Sequence, residues 1–276
     1  MKRLTDRTIL ITGASRGIGR AIALAAAREG ANIVIAAKTA EPHPKLPGTI
    51  HTVADEVRAL GGRALPLQVD VREEIQIADL MTAVDKEFGK LDALINNAGA
   101  IQLTNVDNTP VKRFDLMQQV NSRAVFICAK AALPLLRRAG GGHIISLSPP
   151  LNLRAKWLAP HAPYTLSKFG MTLLSLGLAG ELAKDKISVT TLWPRTTIAT
   201  AAIEFAVGAQ LLPRCRTPDI MADAALEILA TTDQSLTGQS LLDEDFLRTR
   251  GWTEFDRYAH DPAFAKKLFP DLFVEA

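Results

Sequence analysis

Short apolar runs alternate with longer stretches of helical period along most of this chain. Thr8–Thr12, Ile33–Ala36, Ala64–Val69, Leu91–Ile95, His143–Leu147, Ile187–Leu192 and Ser240–Leu242 read as seven strands. Between them, apolar residues recur at helical spacing from the glycines after Thr12 to about Glu29, and again over 51–61, 73–88, 111–138, 162–184 and 218–230. The strands are apolar almost without interruption, the pattern of strands covered on both faces, as in a parallel sheet between two layers of helices. Regular alternation of strand and helix then predicts a doubly wound α/β fold, a seven-stranded parallel sheet with helices on both faces. No repeat or compositional break interrupts the alternation before about residue 243, so 1–243 is expected to form a single domain. Two stretches stand outside it. Residues 39–50 hold three prolines and form a long loop after the second strand. Residues 244–276 are charged and aromatic, and are expected to be an extension packed on the domain or on a neighbouring subunit.

The turn between the first strand and the first helix reads Thr12-Gly13-Ala14-Ser15-Arg16-Gly17-Ile18-Gly19. Gly13 permits a tight turn, Gly17 lets the backbone approach a pyrophosphate, and Gly19 permits close packing of a helix whose N-terminus faces the anion. Three glycines so spaced are a weak signal alone. Inside a strand–helix–strand unit they make a dinucleotide-binding turn, in which Ser15, Arg16 and Ile18 also take part. A site for NAD usually carries an acidic residue at the end of the second strand, where it binds the ribose hydroxyls. Here that strand ends Ala36-Ala37-Lys38, with no carboxylate. Arg16 and Lys38 are suited to neutralise a 2′-phosphate, so the expected cofactor is NADP(H). His43 and Lys45, in the proline-rich loop, are lesser candidates for the same pocket, solvated loop charges being the simpler reading of that pair.

Further along, Asp70 and Val71 follow the third strand, and Asn96-Asn97-Ala98-Gly99 follow the fourth. Asn121 lies within a long helix, and Tyr164-Thr165-Leu166-Ser167-Lys168 opens another. This set, in this order, resembles the short-chain dehydrogenase/reductase family over roughly residues 7–243. More narrowly, Ala37-Lys38-Thr39 with Pro42-His43-Pro44-Lys45-Leu46, and Ser148-Pro149-Pro150-Leu151-Asn152, are similar to its hydroxysteroid dehydrogenase-like subgroup. The resemblance implies a Rossmann fold and an oxidoreductase. It also implies that Asp70, with Val71, contacts the adenine ring and that Asn97, Ala98 and Gly99 line the cofactor. Asn121 would support a water-linked proton relay near Lys168. The long helices 111–138 and 162–184 would build a homodimer or homotetramer.

The chemistry of the central pair follows from the residues themselves. Tyr164 and Lys168 are four apart, so on a helix they share a face. A phenol of pKa about 10 is a poor acid or base at neutral pH, and a nearby ammonium stabilises the phenolate and lowers that value. Tyr164 would give a proton to a carbonyl as hydride arrives from NADPH, or remove one from an alcohol in reverse. Lys168 would also hold the nicotinamide ribose.

Two places depart from the family pattern. The family has a serine just after the fifth strand that hydrogen-bonds the substrate carbonyl. Counted from the strand, that position is Pro149, which has no N–H to donate; counted back from Tyr164, it is Leu151. Ser148 and Asn152 flank the gap, and Ser148 is taken as the replacement donor. The second departure is Trp193-Pro194-Arg195-Thr196-Thr197, where the family commonly has Pro-Gly. By position, the backbone near Thr197–Ile198 is expected to meet the nicotinamide carboxamide. Apolar residues in 149–162 (Leu151, Leu153, Trp157, Leu158) and in 198–212 (Ile203, Phe205, Val207, Leu211, Leu212) point to a hydrophobic alcohol, aldehyde or ketone as substrate. Core or interface packing would explain the same residues almost as well. In the extension, Phe246, Trp252, Phe255, Tyr258, Phe264, Phe269 and Phe273 are expected to cover the cleft or a neighbouring subunit.

Composition narrows the classes. Thirty-two Lys and Arg against 29 Asp and Glu leave a net charge of only +3, with no basic cluster, and aromatics are 5% of residues, so nucleic acid is not an expected partner. Cys128 and Cys215 are far apart, with no metal-ligand spacing, and read as buried thiols with no metal role. No apolar run approaches the ~20 residues of a membrane span. Met1 to Arg7 do not resemble a signal peptide, so a cytoplasmic enzyme is the plain expectation. The leading reading is an NADP(H)-linked carbonyl reductase or alcohol dehydrogenase. An NADP(H)-binding protein that has lost efficient turnover competes with it, motivated by the missing serine. An enoyl reductase is disfavoured, because such relatives space tyrosine and lysine more widely.

Overall fold

Alternate residues of β1 (Thr8–Thr12) serve opposite cores: Ile9 and Ile11 pack into one, Leu10 into the other. β2 (Asn32–Ala37) does the same, with Ile33 and Ile35 on one side and Val34 on the other. Successive strand side chains point to opposite faces, so an unbroken apolar run is what a doubly covered sheet requires. The other strands are β3 (Ala64–Gln68), β4 (Ala93–Asn96), β5 (Gly142–Ser146), β6 (Ile187–Trp193) and β7 (Ser240–Leu242). All seven join in one parallel sheet of order β3-β2-β1-β4-β5-β6-β7. Pro66 sits in β3, at the sheet edge, where a residue without an N–H is tolerated. This is the fold of a computed structural model that describes residues 2–44 and 46–275.

The helices are α1 (Gly17–Arg28), α2 (Ile50–Ala59), α3 (Glu74–Phe88), α4 (Val111–Gln118), α5 (Ala124–Arg138), α6 (Ala155–Leu158), α7 (Ala162–Glu181), α8 (Ala201–Ala206), α9 (Asp219–Ala230) and α10 (Asp243–Thr249). Residues of α1, α2 and α9 build the core on one face of the sheet, and those of α3 and α5 the core on the other. The single helix expected over 111–138 is two helices joined by a π-helical turn, Gln119–Arg123, with Asn121 buried inside it. Extra-wide turns of this kind are frequent at functional sites.

The C-terminal stretch folds onto its own chain at three levels. Phe246, Phe255 and Tyr258 join the core beside α1 and α9. A buried ion pair between Arg216 and Glu244 ties its start to the segment before α9. Its last residues enter a third, aromatic cluster in which Phe273 packs with Met117, Tyr164, Phe169 and Trp193. Glu275 is then clasped by Arg154, Lys156 and the Asn152 side-chain amide. Among the described residues no helix is long and apolar enough to cross a membrane.

Candidate active site

In a doubly wound sheet the ligand crevice opens beyond the C-terminal strand ends, where the strand order reverses. Here the reversal lies between β1 and β4, and a cavity of about 750 Å³ opens there. Gly13, Ser15, Arg16, Gly17, Ile18 and Lys38 line one part of it. Asp70, Val71, Asn97, Ala98 and Gly99 line the next, and Tyr164, Lys168 and Thr197 another. Gly19, Asn121 and Ser148, expected at the same site, are not among its walls.

The glycine turn is shaped by contact with β4. Gly13 has φ +68°, and a Cβ there would sit 2.9 Å from the Ala98 Cα. At Gly19 a Cβ would fall 2.5 Å from the Asn97 amide nitrogen, so Gly19 supports the turn from below. That amide donates to the carbonyls of Thr12 (2.8 Å) and Gly13 (3.1 Å), fixing the turn to the end of β4. The first turn of α1 holds no acidic residue and receives no side-chain cap, which leaves its N–H groups facing the cavity mouth for a phosphate. A nicotinamide dinucleotide therefore fits the residues present.

Among the described residues Arg16 is held by neutral oxygens alone: Nε donates to Pro47 O (2.9 Å) and Nη2 to Thr39 Oγ1 (3.0 Å). Burial lowers its pKa, and no carboxylate compensates. Lys38 lies 3.0 Å from an Asp70 carboxylate oxygen. Arg72 grips the same carboxylate through Nε (3.0 Å) and Nη2 (2.6 Å), and these cations hold Asp70 far below the usual carboxylate range, Arg72 foremost. The expected adenine contact of Asp70 must therefore be made by a carboxylate already taken by two cations. Arg72, whose hold on Asp70 the sequence reading missed, stands only two residues away. His43 forms an isolated bridge with Leu46, which lines the cavity; Lys45 lies outside the described residues.

Tyr164 and Lys168 project from the buried face of α7. The Tyr164 ring stacks on Phe273, with centroids 6.5 Å apart and planes at 25°. Lys168 Nζ donates to the main-chain carbonyl of Leu147 at 2.6 Å and stands 5.0 Å from the Trp193 ring centroid. The expected lowering of the Tyr164 pKa by Lys168 is not found. Burial, with the Asp271 carboxyl second, pushes the phenol above its ordinary value. Burial brings Lys168 down to about 7, opposed by Asp271.

Several expectations need correction. Ser148 does not reach the cavity: it is fully buried and its Oγ accepts from Thr172 Oγ1 at 3.0 Å. The same Thr172 hydroxyl approaches the Pro149 carbonyl at 2.7 Å, which turns the strand end inward. Asn121 spends its side chain locally, accepting from Ala100 N (2.9 Å) and donating to Ala100 O (3.0 Å) and Ser167 Oγ (2.8 Å). Thr197 lines the cavity, but its main-chain N–H is taken by the carbonyl of Phe269 at 2.9 Å. Of the apolar residues expected at the substrate end, Ile203, Phe205, Val207 and Leu211 line the cavity, while Leu151, Leu153, Trp157, Leu158 and Leu212 do not. Trp157 and Leu158 pack on the aromatic cluster instead.

The C-terminal stretch supplies cavity walls, Phe269 as one of the aromatics expected over the cleft, and Pro270, Asp271 and Leu272 without any expectation from the sequence. Asp271 is buried, its main-chain N–H donates to Arg195 O (3.1 Å), and its Oδ1 accepts from Leu272 N (2.7 Å). The signal that was available is a lone carboxylate inside Phe269-Pro270-Asp271-Leu272-Phe273.

Residues 7–206 match the model of the short chain dehydrogenase family. Hydroxysteroid dehydrogenase-like protein 2 of Bos taurus is 50% identical over 273 residues, covering 99% of this chain and 64% of its own length. The chain thus spans less than two thirds of that curated relative. A putative dehydrogenase from Xanthomonas campestris is 50% identical, with a TM-score of 0.95 and 99% of each chain covered. A short chain dehydrogenase from Mycobacterium thermoresistibile is 43% identical, with a TM-score of 0.92 over 99% of this chain and 96% of that one. With the sheet order, the glycine turn and the Tyr164–Lys168 pair, these likenesses identify the chain as a member of the short chain dehydrogenase family, within the hydroxysteroid dehydrogenase-like group.

Proposed function

We propose that the chain is an NADP(H)-dependent oxidoreductase that interconverts a hydrophobic alcohol and its aldehyde or ketone, with Tyr164 as the acid/base. The observation that carries this reading is the meeting of Tyr164, Lys168 and the glycine turn at one cavity. When bound, the reduced dinucleotide supplies a hydride to the carbonyl carbon. Tyr164, kept protonated by burial, gives its proton to the carbonyl oxygen, and in reverse takes one from the alcohol. Lys168 carries its donors to the same part of the cavity and holds the nicotinamide ribose. Asn97 and Gly19 keep the phosphate turn in shape, and Asn121 fixes Ala100 and Ser167, the latter adjoining Lys168.

Preference for NADP(H) rests on Arg16, in the glycine turn, and Lys38, just past β2, a strand whose own end carries no acidic residue. A hydrophobic substrate is supported by Ile101, Leu103, Ile203, Phe205 and Leu211 on the cavity wall, and by the curated relatives' hydroxysteroid dehydrogenase-like name. Exposed Phe126 on α5, with Leu166 and Leu173 on α7, supports assembly of like chains through those helices. A second reading, dinucleotide binding without efficient turnover, is favoured by the burial of Ser148 against Thr172. Following NADPH and NADH oxidation over aliphatic, terpenoid, aromatic and steroid carbonyls separates the two. Turnover with NADPH supports the enzyme; tight NADPH binding without turnover on any of them supports the second reading.

A further inference from the structure

Carbonyl reduction needs a second hydrogen-bond donor at the substrate oxygen, beside the tyrosine, and residues 148–152 supply none. Ser148 Oγ is turned to Thr172, Pro149 has no N–H, and Leu151 is off the cavity. Asn152 donates to Phe273 O (3.1 Å) and Glu275 Oε1 (2.8 Å). A buried acidic residue lines the same cavity as Tyr164 and Lys168 and interacts electrostatically with both. That residue is Asp271, and the chain on either side of it is fixed. The stretch before it is tied by Thr197 N to Phe269 O (2.9 Å), and the stretch after it by Trp193 Nε1 to Leu272 O (2.9 Å).

Burial, more than the charges around it, favours the acid form of Asp271. Lys168 and Tyr164 face it from α7, Asp243 from α10, and Cys215 from the segment before α9. Asp243 is itself buried, with one oxygen accepting from Arg195 N and Glu244 N. Nearby, the buried Arg216 is already paired with Glu244. Asp243 feels the charge of Arg216 and Asp271 that of Lys168, but the two buried carboxyls also face each other, and two such groups cannot both ionise cheaply. Burial, opposed by the Leu272 main-chain N–H, by Lys168 and by the Trp193 side chain and reinforced by Asp243, pushes Asp271 up to about 7.

We propose that Asp271 is a catalytic residue whose carboxylic acid donates a hydrogen bond to the substrate's carbonyl oxygen, taking over the task of the missing serine. The proposal rests on the reading of the site as a carbonyl–alcohol oxidoreductase. Hydride reaches the carbonyl carbon from the reduced dinucleotide and the proton reaches oxygen from Tyr164. Asp271 keeps its own proton throughout, so no bond at it is made or broken. As pH rises and Asp271 ionises, its donor is lost and a negative charge faces the developing alkoxide, so turnover falls.

The test compares wild type, Asp271→Asn, Asp271→Leu and Tyr164→Phe by kcat, its pH profile and the Kd for NADPH. Asp271→Asn keeps a donor, so its kcat should stay within about tenfold of wild type and lose the decline with rising pH. Asp271→Leu removes the donor and should lower kcat by about 10²–10³, the usual loss for one such donor, with NADPH affinity within about threefold of wild type. Infrared titration of wild type without cofactor should show protonated carboxyl absorption near neutral pH, from Asp243 and Asp271, of which Asp271→Asn loses one component. This readout needs no turnover, and it carries the test with Asp271→Asn should Asp271→Leu fail to fold. Wild-type kcat in Asp271→Leu, equal inactivity of the Asn and Leu variants, or an infrared band unchanged by Asp271→Asn overturns the role of Asp271 alone. Absence of turnover in wild type, with NADPH bound, overturns the oxidoreductase reading and this role with it.

Discussion

Thr197 donates its main-chain N–H to the carbonyl of Phe269 at 2.9 Å, and Thr197 Oγ1 lies 3.4 Å from Pro270 O. The loop after β6, which lines the cavity, is therefore stitched to the C-terminal stretch of the same chain. Phe273, four residues beyond Phe269, carries φ +70°, a conformation bulky residues keep only when their surroundings impose it. Those surroundings are the rings of Trp157, His161, Tyr164, Phe169 and Trp193, each with its centroid within 6.5 Å of Phe273.

Phe273→Ala should test whether this ring holds Tyr164 in place. Removing a fully buried phenylalanine costs about 3–5 kcal/mol, so thermal unfolding should move down by several degrees. Turnover should fall more than NADPH affinity, because the ring touches the tyrosine and not the glycine turn. Unchanged stability and kcat would show that the cluster is dispensable.

Cofactor choice is tested at Arg16 and Lys38. Both line the cavity, Arg16 from the glycine turn and Lys38 from just past β2. A charge-assisted hydrogen bond to phosphate contributes about 1.5–3 kcal/mol, or roughly tenfold or more in affinity. Arg16→Leu and Lys38→Asp should each weaken NADPH binding more than tenfold and leave NADH binding nearly unchanged. The second variant also places a carboxylate against Asp70, so Arg16→Leu is the cleaner of the two. Equal loss for both dinucleotides would remove these residues from the 2′-phosphate site.

The strands were legible because burial on both faces writes itself as apolar runs, and β1, β6 and β7 fall within a residue of their expected bounds. The place of the glycine turn at the cavity was legible for a related reason: its glycines act through local backbone shape. What the sequence hid depends on contacts between distant segments. Ser148 looks like a donor until Thr172, a helix away, turns its hydroxyl inward. Asp271 reads as a tail residue until the chain folds back and sets it in the cavity with Lys168. The π-helical turn at Gln119–Arg123 breaks a stretch whose apolar spacing looked like one helix.

Stability should carry a histidine signature in acid. His143, buried on β5 with Nδ1 lacking a partner, is brought down to about 4 by burial and by the charge of Arg7. Its folded pKa thus lies below the ordinary 6.5, and the unfolded chain binds the extra proton between those values. Stability from this group is therefore intact above about pH 6.5 and lost as pH falls towards 4, on the order of 3 kcal/mol in all. Asp243 and Asp271, pushed up to about 7, act in the opposite sense over the same range. The measurement is accordingly the difference between the pH-stability curves of wild type and His143→Gln. That difference should narrow by about this amount between pH 6.5 and 4, and a constant difference would contradict the assignment.

The most direct measurement of the central claim is carbonyl-dependent NADPH oxidation by wild type and Tyr164→Phe, with the NADPH Kd of both determined by titration. Removing the proton donor while sparing the ring should abolish turnover, by a factor of at least about 10², and leave the Kd within about threefold. Turnover undiminished in Tyr164→Phe would contradict the assignment of Tyr164 as the acid/base.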